Sequence, residues 1–185
     1  MKIFLTGTPG VGKTTVSKLL AKKLSAKVIN INELVKEKSL YIGLDEKRNS
    51  VIVDLKKLCK EINKIASDKN IWIVEGHLSH LCHSADFVIV LRLHPSHLKK
   101  RLEKRGYNKS KIMENVEAEA LGVCTHEALS IHGYKVHEID TTNLLPNDVC
   151  NLIVEIINGK KIFKPGKIDF LEDFVREKFK NSNEY

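Results

Sequence analysis

Apolar residues along this chain fall into short β-branched runs separated by longer segments with helical spacing. Lys2 to Thr6, Lys27 to Asn30, Ile71 to Glu75, Phe87 to Leu91 and Lys135 to Ile139 read as five strands. Between them, Thr14 to Leu24 sets Val16, Leu19, Leu20 and Leu24 on one face, and Asp54 to Ala66 does the same with Leu55, Leu58, Ile62 and Ile65. Pro95 opens a basic helix, Ser96 to Lys104, that stops at Gly106; one helix from about Ser110 to Ser130 and another over Asn147 to Ile157 follow. Strands alternating with amphipathic helices predict a parallel sheet covered on both faces, a three-layer α/β/α domain. Asn158 to Lys167 is rich in Gly, Pro and Lys and reads as a linker, after which Ile168, Leu171, Phe174, Val175 and Phe179 predict a C-terminal helix.

The chain has 185 residues, 42% hydrophobic and 29% charged. That suits one domain, here residues 1–158 with the linker and helix of 159–185 appended. The longest apolar run, Phe87 to Leu91, falls far short of the ~20 residues of a membrane span, and no secretory leader is legible at the start. The expectation is a cytoplasmic protein with no membrane partner. Four cysteines, Cys59, Cys82, Cys124 and Cys150, lie far apart without a C-x-x-C pair, so reduced, buried thiols are expected rather than a zinc ribbon or a disulfide framework. The net charge of +8 suits an anionic partner, although lysines spread along the whole chain also serve solubility.

Residues 7–15 read GTPGVGKTT and satisfy G-x-x-x-x-G-K-[ST], with a strand before and a helix after. Glycines there let backbone amides converge on phosphate oxygens at a helix N-terminus. Lys13 supplies a compact cation for the β and γ phosphates, and the Thr14 hydroxyl is a ligand for Mg²⁺. The loop therefore predicts ATP and Mg²⁺ as cofactors. No N-K-x-D guanine signature occurs, which disfavours a GTPase, and the chain is short for a motor or transporter. The layout is that of a small phosphotransferase, with residues 30–53 as an acceptor clamp and the basic turn 104–114 closing over the phosphates.

Beyond the loop, several stretches carry a resemblance: L-Y-x-G-x-D-E at Leu40 to Glu46, Glu75-Gly-His77, Val90-Leu-Arg92, Arg101-Leu-Glu-Lys-Arg-Gly-Tyr-Asn108 and Glu114-Asn-Val-Glu-Ala-Glu119. Over residues 2 to about 158 the chain resembles the adenylate kinase isoenzyme six family, small P-loop nucleoside monophosphate kinases with ATPase activity that act in late maturation of the small ribosomal subunit. The resemblance implies a P-loop NTPase fold and transfer of the ATP γ-phosphate to AMP or a related monophosphate. It further implies that Gly10, Gly12, Lys13, Thr14, Thr15 and Arg105 bind ATP, and that residues 30–53 and 104–114 are the monophosphate site and the lid. Partners implied are the uS-eleven platform protein and the pre-small subunit, with direct RNA contact left open. A reading of another class treats the protein as an ATP-switched ribosome assembly factor in which kinase activity is incidental.

Phosphoryl transfer is catalysed mainly by positioning and by cations on the equatorial oxygens. Lys13 and Arg105 are the candidate catalytic cations, while Arg92 and Arg101 are divided between phosphate contact and surface ion pairs. Glu75 closes the third strand, where it can hold Mg²⁺ through water beside Thr14. His77 can orient an attacking water, which hydrolysis needs and a monophosphate acceptor does not. Two departures from the family stand out: Lys36 replaces an arginine in the first acceptor-side helix, so a bidentate grip on the acceptor phosphate is lost, and Glu75 replaces an aspartate. His77, His80, Cys82 and His83 crowd into seven residues and raise zinc as a competing reading, although their spacing fits no standard finger. Asp140 to Asn143 is divided between an adenine-gripping loop and a plain polar turn. Tyr41, Asp45 and Tyr107 carry the resemblance without a readable chemical role.

Overall fold

In the computed structural model the described residues are 1–46 and 50–182, so Lys47, Arg48 and Asn49 of the acceptor segment lie outside them. Five parallel strands, β1 (Lys2–Thr6), β2 (Lys27–Asn30), β5 (Trp72–Glu75), β6 (Phe87–Arg92) and β7 (Val136–Asp140), make the main sheet in the order β2-β5-β1-β6-β7. A separate antiparallel hairpin pairs β3 (Tyr41–Asp45) with β4 (Ser50–Val53). No helix among the described residues is long and apolar enough to cross a membrane.

The strands are apolar on both sides because both faces are covered. Along β1, Ile3 and Leu5 join a core with α1 (Lys13–Leu24), α4 (Pro95–Lys104), α5 (Lys109–Ala120) and α7 (Pro146–Ile157). Phe4 points the other way, into a core with α2 (Ile31–Glu37), α3 (Leu55–Ile65) and α6 (Val123–His132). Successive strand side chains alternate between faces, so a five-residue strand serves two cores. Val16 and Leu20 of α1 and Leu58 and Ile62 of α3 are the buried residues of the stripes legible in the sequence. Asp54 caps α3 by accepting from the Lys57 N–H at 3.0 Å.

The structure corrects two expectations, the single helix and the reduced cysteines, and adds an element to the acceptor segment. The helix expected over residues 110–130 is two helices, because Gly122 takes φ 64° and a Cβ there would stand 3.3 Å from Arg92 Nη1. The acceptor segment carries α2 and the hairpin, with Ile42 and Leu44 exposed; two four- or five-residue strands with no fully buried residue leave little period-2 signal. Cys59 and Cys82 form a disulfide between α3 and the loop after β5, with Cα atoms 5.3 Å apart, while Cys124 and Cys150 are free. Pairing across 23 residues is a matter of tertiary approach, which spacing does not report.

The stretch read as a linker is held down. The Phe163 N–H donates to His137 Nδ1 at 3.3 Å, and the Glu138 N–H donates to the Phe163 carbonyl at 3.2 Å. The terminal helix α8 (Leu171–Ser182) follows, and Phe174 packs against the first core.

Candidate functional site

The site gathers at the carboxyl ends of the parallel strands, where open α/β sheets bind ligands. Strand β1 runs into the glycine loop, β5 ends at Glu75, and β2 ends at Asn30, which also caps α2 through the Glu33 N–H at 3.0 Å. In the loop, Gly10 and Gly12 take φ of 102° and 114°, conformations an L side chain rarely adopts. Gly12 is the N-cap of α1, so that helix's free N–H groups open onto the loop.

A cleft of about 580 Å³ is lined by Gly10, Gly12, Lys13, Thr14, Thr15, Glu75, His77 and Arg105. All the residues named from the sequence for catalysis, ATP and Mg²⁺ thus face one cavity. Tyr107, Lys111, Glu114, Asn115, Cys124 and Glu127 line it as well. Their side chains come from the turn after α4 and from α5 and α6, which reach the cleft only through the packing of those helices.

Lys13 is 9% exposed, and its Nζ donates to the carbonyls of Gly7 at 2.6 Å and Thr8 at 3.0 Å. Burial lowers its pKa to about 8, against the fields of the Glu75 and Glu119 carboxylates, which favour the cation. The Glu75 carboxylate accepts from the Thr14 hydroxyl at 3.1 Å and from the Asn30 amide. A hydroxyl and a carboxylate in contact at the head of the loop are hard oxygen donors of the type Mg²⁺ takes, so the donor set fits that ion. Burial first, and Lys13 second, lower the pKa of His77 to about 4, so its imidazole is neutral at physiological pH.

Arg101 Nη1 reaches the carbonyls of Val11 at 3.3 Å and Gly10 at 3.5 Å. With Arg105, Thr141, Leu144 and Pro146 it lines a second, smaller cavity of about 290 Å³ on the outer side of the loop. Thr141 of the Asp140–Asn143 turn is anchored on the Arg92 carbonyl through both its N–H and its hydroxyl, at 2.9 and 2.7 Å. On the other side, Asn32, Lys36, Tyr41, Leu44 and Ser50 face His77 and Leu78 across about 660 Å³, between the hairpin and the loop after β5.

Two sequence candidates go elsewhere. Arg92 ends β6 but is 2% exposed and turned away from the cleft; its guanidinium pairs with Glu119 at 2.7 Å and with Glu138. The histidine-rich stretch does not converge on a metal. His80 is buried against Thr6 Oγ1 at 2.6 Å and Glu127 Oε2 at 3.0 Å, and Cys82 is in the disulfide. Among the described residues no group of three or more His, Cys, Asp or Glu side chains is arranged for a metal ion. Glu119 had no chemical role readable from the sequence: within E-N-V-E-A-E it accepts from the Thr8 hydroxyl of the loop at 2.5 Å.

A family model described as an AAA domain matches residues 3–122. A Methanothermobacter thermautotrophicus protein named "Putative adenylate kinase" is 47% identical, with 91% of this chain and 96% of its own covered. Proteins of the same name from Methanocaldococcus jannaschii and Pyrococcus furiosus are 46% and 44% identical, covering 94% and 92% of this chain and 95% and 91% of their own. Among solved structures, shikimate kinases from Bacteroides thetaiotaomicron and Acinetobacter baumannii superpose with TM-scores of 0.61 and 0.63 at 17% and 18% identity. The first covers 85% of this chain and 98% of its own, the second 86% and 94%. At that identity they show the fold, an α/β P-loop NTPase with a five-stranded parallel sheet.

Proposed function

The chain belongs to the AAA-domain family, together with the archaeal relatives named "Putative adenylate kinase", and from that premise we propose that it is an ATP-dependent nucleoside monophosphate kinase. The observation that carries the reading is the pair of cavities meeting at His77 and Leu78: the P-loop cleft, and the cleft under the hairpin that contains Lys36. A phosphate donor in the first and a monophosphate in the second would have their phosphates near Lys13.

In transfer, the bond from the γ-phosphorus to the β,γ-bridging oxygen breaks while an acceptor phosphate oxygen bonds to that phosphorus, giving ADP and a nucleoside diphosphate. The acceptor oxygen is already anionic, so no general base is needed, and the protein's part is positioning and charge neutralisation. Lys13 exchanges the carbonyls of Gly7 and Thr8 for phosphate oxygens. Arg105, exposed at the end of α4, folds onto the γ-phosphate from the lid turn 104–114. Thr14 and Glu75 would hold Mg²⁺, Glu75 through water, and the ion would supply positive charge that offsets that of the phosphates. Neutral His77 orients water in a slower ATP hydrolysis. Lys36 offers the acceptor phosphate a point charge rather than a fork, which favours broad monophosphate use.

ADP formed with AMP present, compared with phosphate released without it, tests the assignment, with Lys13→Ala as control. Transfer far exceeding hydrolysis is expected. Phosphate release equal to or above transfer would refute the kinase assignment and favour the ATP-switch reading. That second reading, maturation of the small ribosomal subunit with the uS-eleven platform protein as partner, is supported by the R-G-Y-N and E-N-V-E-A-E resemblance and the +8 charge. Its test is retention of the platform protein by this chain and its release on ATP, abolished in Lys13→Ala.

A further inference from the structure

The segment after α7 reaches the nucleotide loop through a continuous buried polar chain. At the loop end, the Thr8 hydroxyl donates to Glu119 Oε2, and Thr8 is one of the two residues whose carbonyls hold Lys13 Nζ. Glu119 Oε1 accepts from Arg92 Nε at 2.7 Å and from the Leu93 N–H at 3.0 Å, while Arg92 Nη2 donates to the Glu119 carbonyl at 2.7 Å. Arg92 Nη1 donates to Glu138, whose Oε1 also accepts from the Thr125 hydroxyl at 2.7 Å. Thr8, Arg92, Glu119 and Glu138 are each 3% exposed or less.

The far end of this chain is closed by residues beyond α7. The Gly166 N–H donates to Glu138 Oε2 at 2.8 Å, and the Ile168 carbonyl stands 3.5 Å from Arg92 Nη1. The Phe170 ring lies 5.3 Å from the guanidinium carbon and 5.3 Å from the His94 ring; it is 7% exposed and covers Arg92 from solvent. His94 is in turn the N-cap of α4, the helix that carries Arg101 and leads to Arg105.

We propose that residues 163–170 are a positioning segment for the nucleotide site: by closing the Glu138–Arg92–Glu119 chain they hold Thr8, and with it the backbone of the glycine loop that receives the phosphates. The physical reason is the burial of one cation between two carboxylates. Such a cluster keeps its geometry only while every donor and acceptor is matched and water is excluded. Lifting the segment removes the Gly166 donor and the Phe170 cover together and lets water compete at Arg92. Glu119 is shared between Arg92 and Thr8, so disorder at one partner is passed to the other.

The proposal rests on the loop being a triphosphate site, not on the identity of the phosphate acceptor. Its test uses the full chain, a nonhydrolysable ATP analogue with Mg²⁺, and calorimetric dissociation constants at a temperature well below each variant's melting point. Phe170→Ala is expected to weaken binding about tenfold. In a Thr8→Val background, where the loop is already detached from Glu119, the same substitution is expected to change binding less than twofold, the non-additivity of residues in one network. Thr8→Ser, which keeps the hydroxyl, is expected to restore the dependence on Phe170. If the alanine variant lacks a cooperative melt, Phe170→Leu reads the same coupling. Wild-type affinity in the Phe170 variant with only a lowered melting point, or equal effects of Phe170→Ala in both backgrounds, would overturn the proposal. An absence of analogue binding by the wild-type chain would instead overturn the P-loop assignment beneath it.

Discussion

Lys13 is held charged in a place that disfavours the charge, and ATP should repair that. Burial lowers its pKa to about 8 from an ordinary value of 10.5, and Arg105 adds to the effect, while the carboxylates of Glu75 and Glu119 oppose it. Keeping the cation at neutral pH therefore costs about 3 kcal/mol in the nucleotide-free protein. The triphosphate's negative charges against Nζ restore the protonated form. At pH 8.5 about three quarters of the lysines are neutral beforehand, so binding should take up roughly 0.7 proton; at pH 7 it should take up about 0.1. Cys124, raised to about 11 by burial, stays a thiol throughout and adds nothing. Titration calorimetry with a nonhydrolysable ATP analogue in buffers of different ionisation enthalpy reads the number directly. Uptake at pH 8.5 no larger than at pH 7 would refute the account of Lys13. The same lowered pKa has a sign for stability. Between pH 8 and 10.5 the unfolded chain binds more protons than the folded one, so this lysine makes the nucleotide-free protein more stable as pH rises through that window and less stable as it falls.

Other outcomes follow from the remaining geometry. His77→Ala should reduce ATP hydrolysis more than AMP phosphorylation, and equal losses would refute the water-orienting role. With its folded pKa near 4, His77 also contributes stability that is complete above pH 6.5 and lost as pH falls towards 4, so the acid decline in urea-unfolding free energy should be shallower in His77→Ala. Arg92→Met leaves Glu119 and Glu138 buried without their cation and should cost about 3–5 kcal/mol in urea unfolding; a loss below 1 kcal/mol would contradict the ion network. Thiol titration of the denatured chain should find two cysteines before reduction and four after it, with reduction lowering stability by about 3 kcal/mol for a loop of this length. Four thiols at the outset would contradict the Cys59–Cys82 bond.

Much of the fold was legible because local physics dictates it. The strands of the main sheet are buried on both faces and so are apolar without interruption, and α1 and α3 show the 3.6-residue stripe of a one-sided core contact. The break at Gly122 was not legible, because the glycine answers to the Arg92 guanidinium packed beside it, thirty residues back in sequence. The hairpin escaped because no residue of its two short strands is fully buried, so they mark no clear core face.

For the site, the division follows the origin of each constraint. Gly10, Gly12, Lys13 and Thr14 sit in one continuous loop whose backbone geometry is set by its own residues, so their motif alone predicts a phosphate cradle. Glu75 and His77 line the same cleft because strand ends in such a sheet open on one crevice. The fate of Arg92 was decided only by the tertiary structure: a strand-end arginine faces phosphate or carboxylate according to which helices pack above it, and here α5 and β7 bring Glu119 and Glu138 to it. The same holds for Cys59 with Cys82, and for a glycine- and lysine-rich stretch that reads as a linker yet donates to Glu138. Sequence records what a residue can do; which partner it meets far along the chain is set by the packing of the whole chain, where desolvation makes each unmatched charge too costly to leave alone.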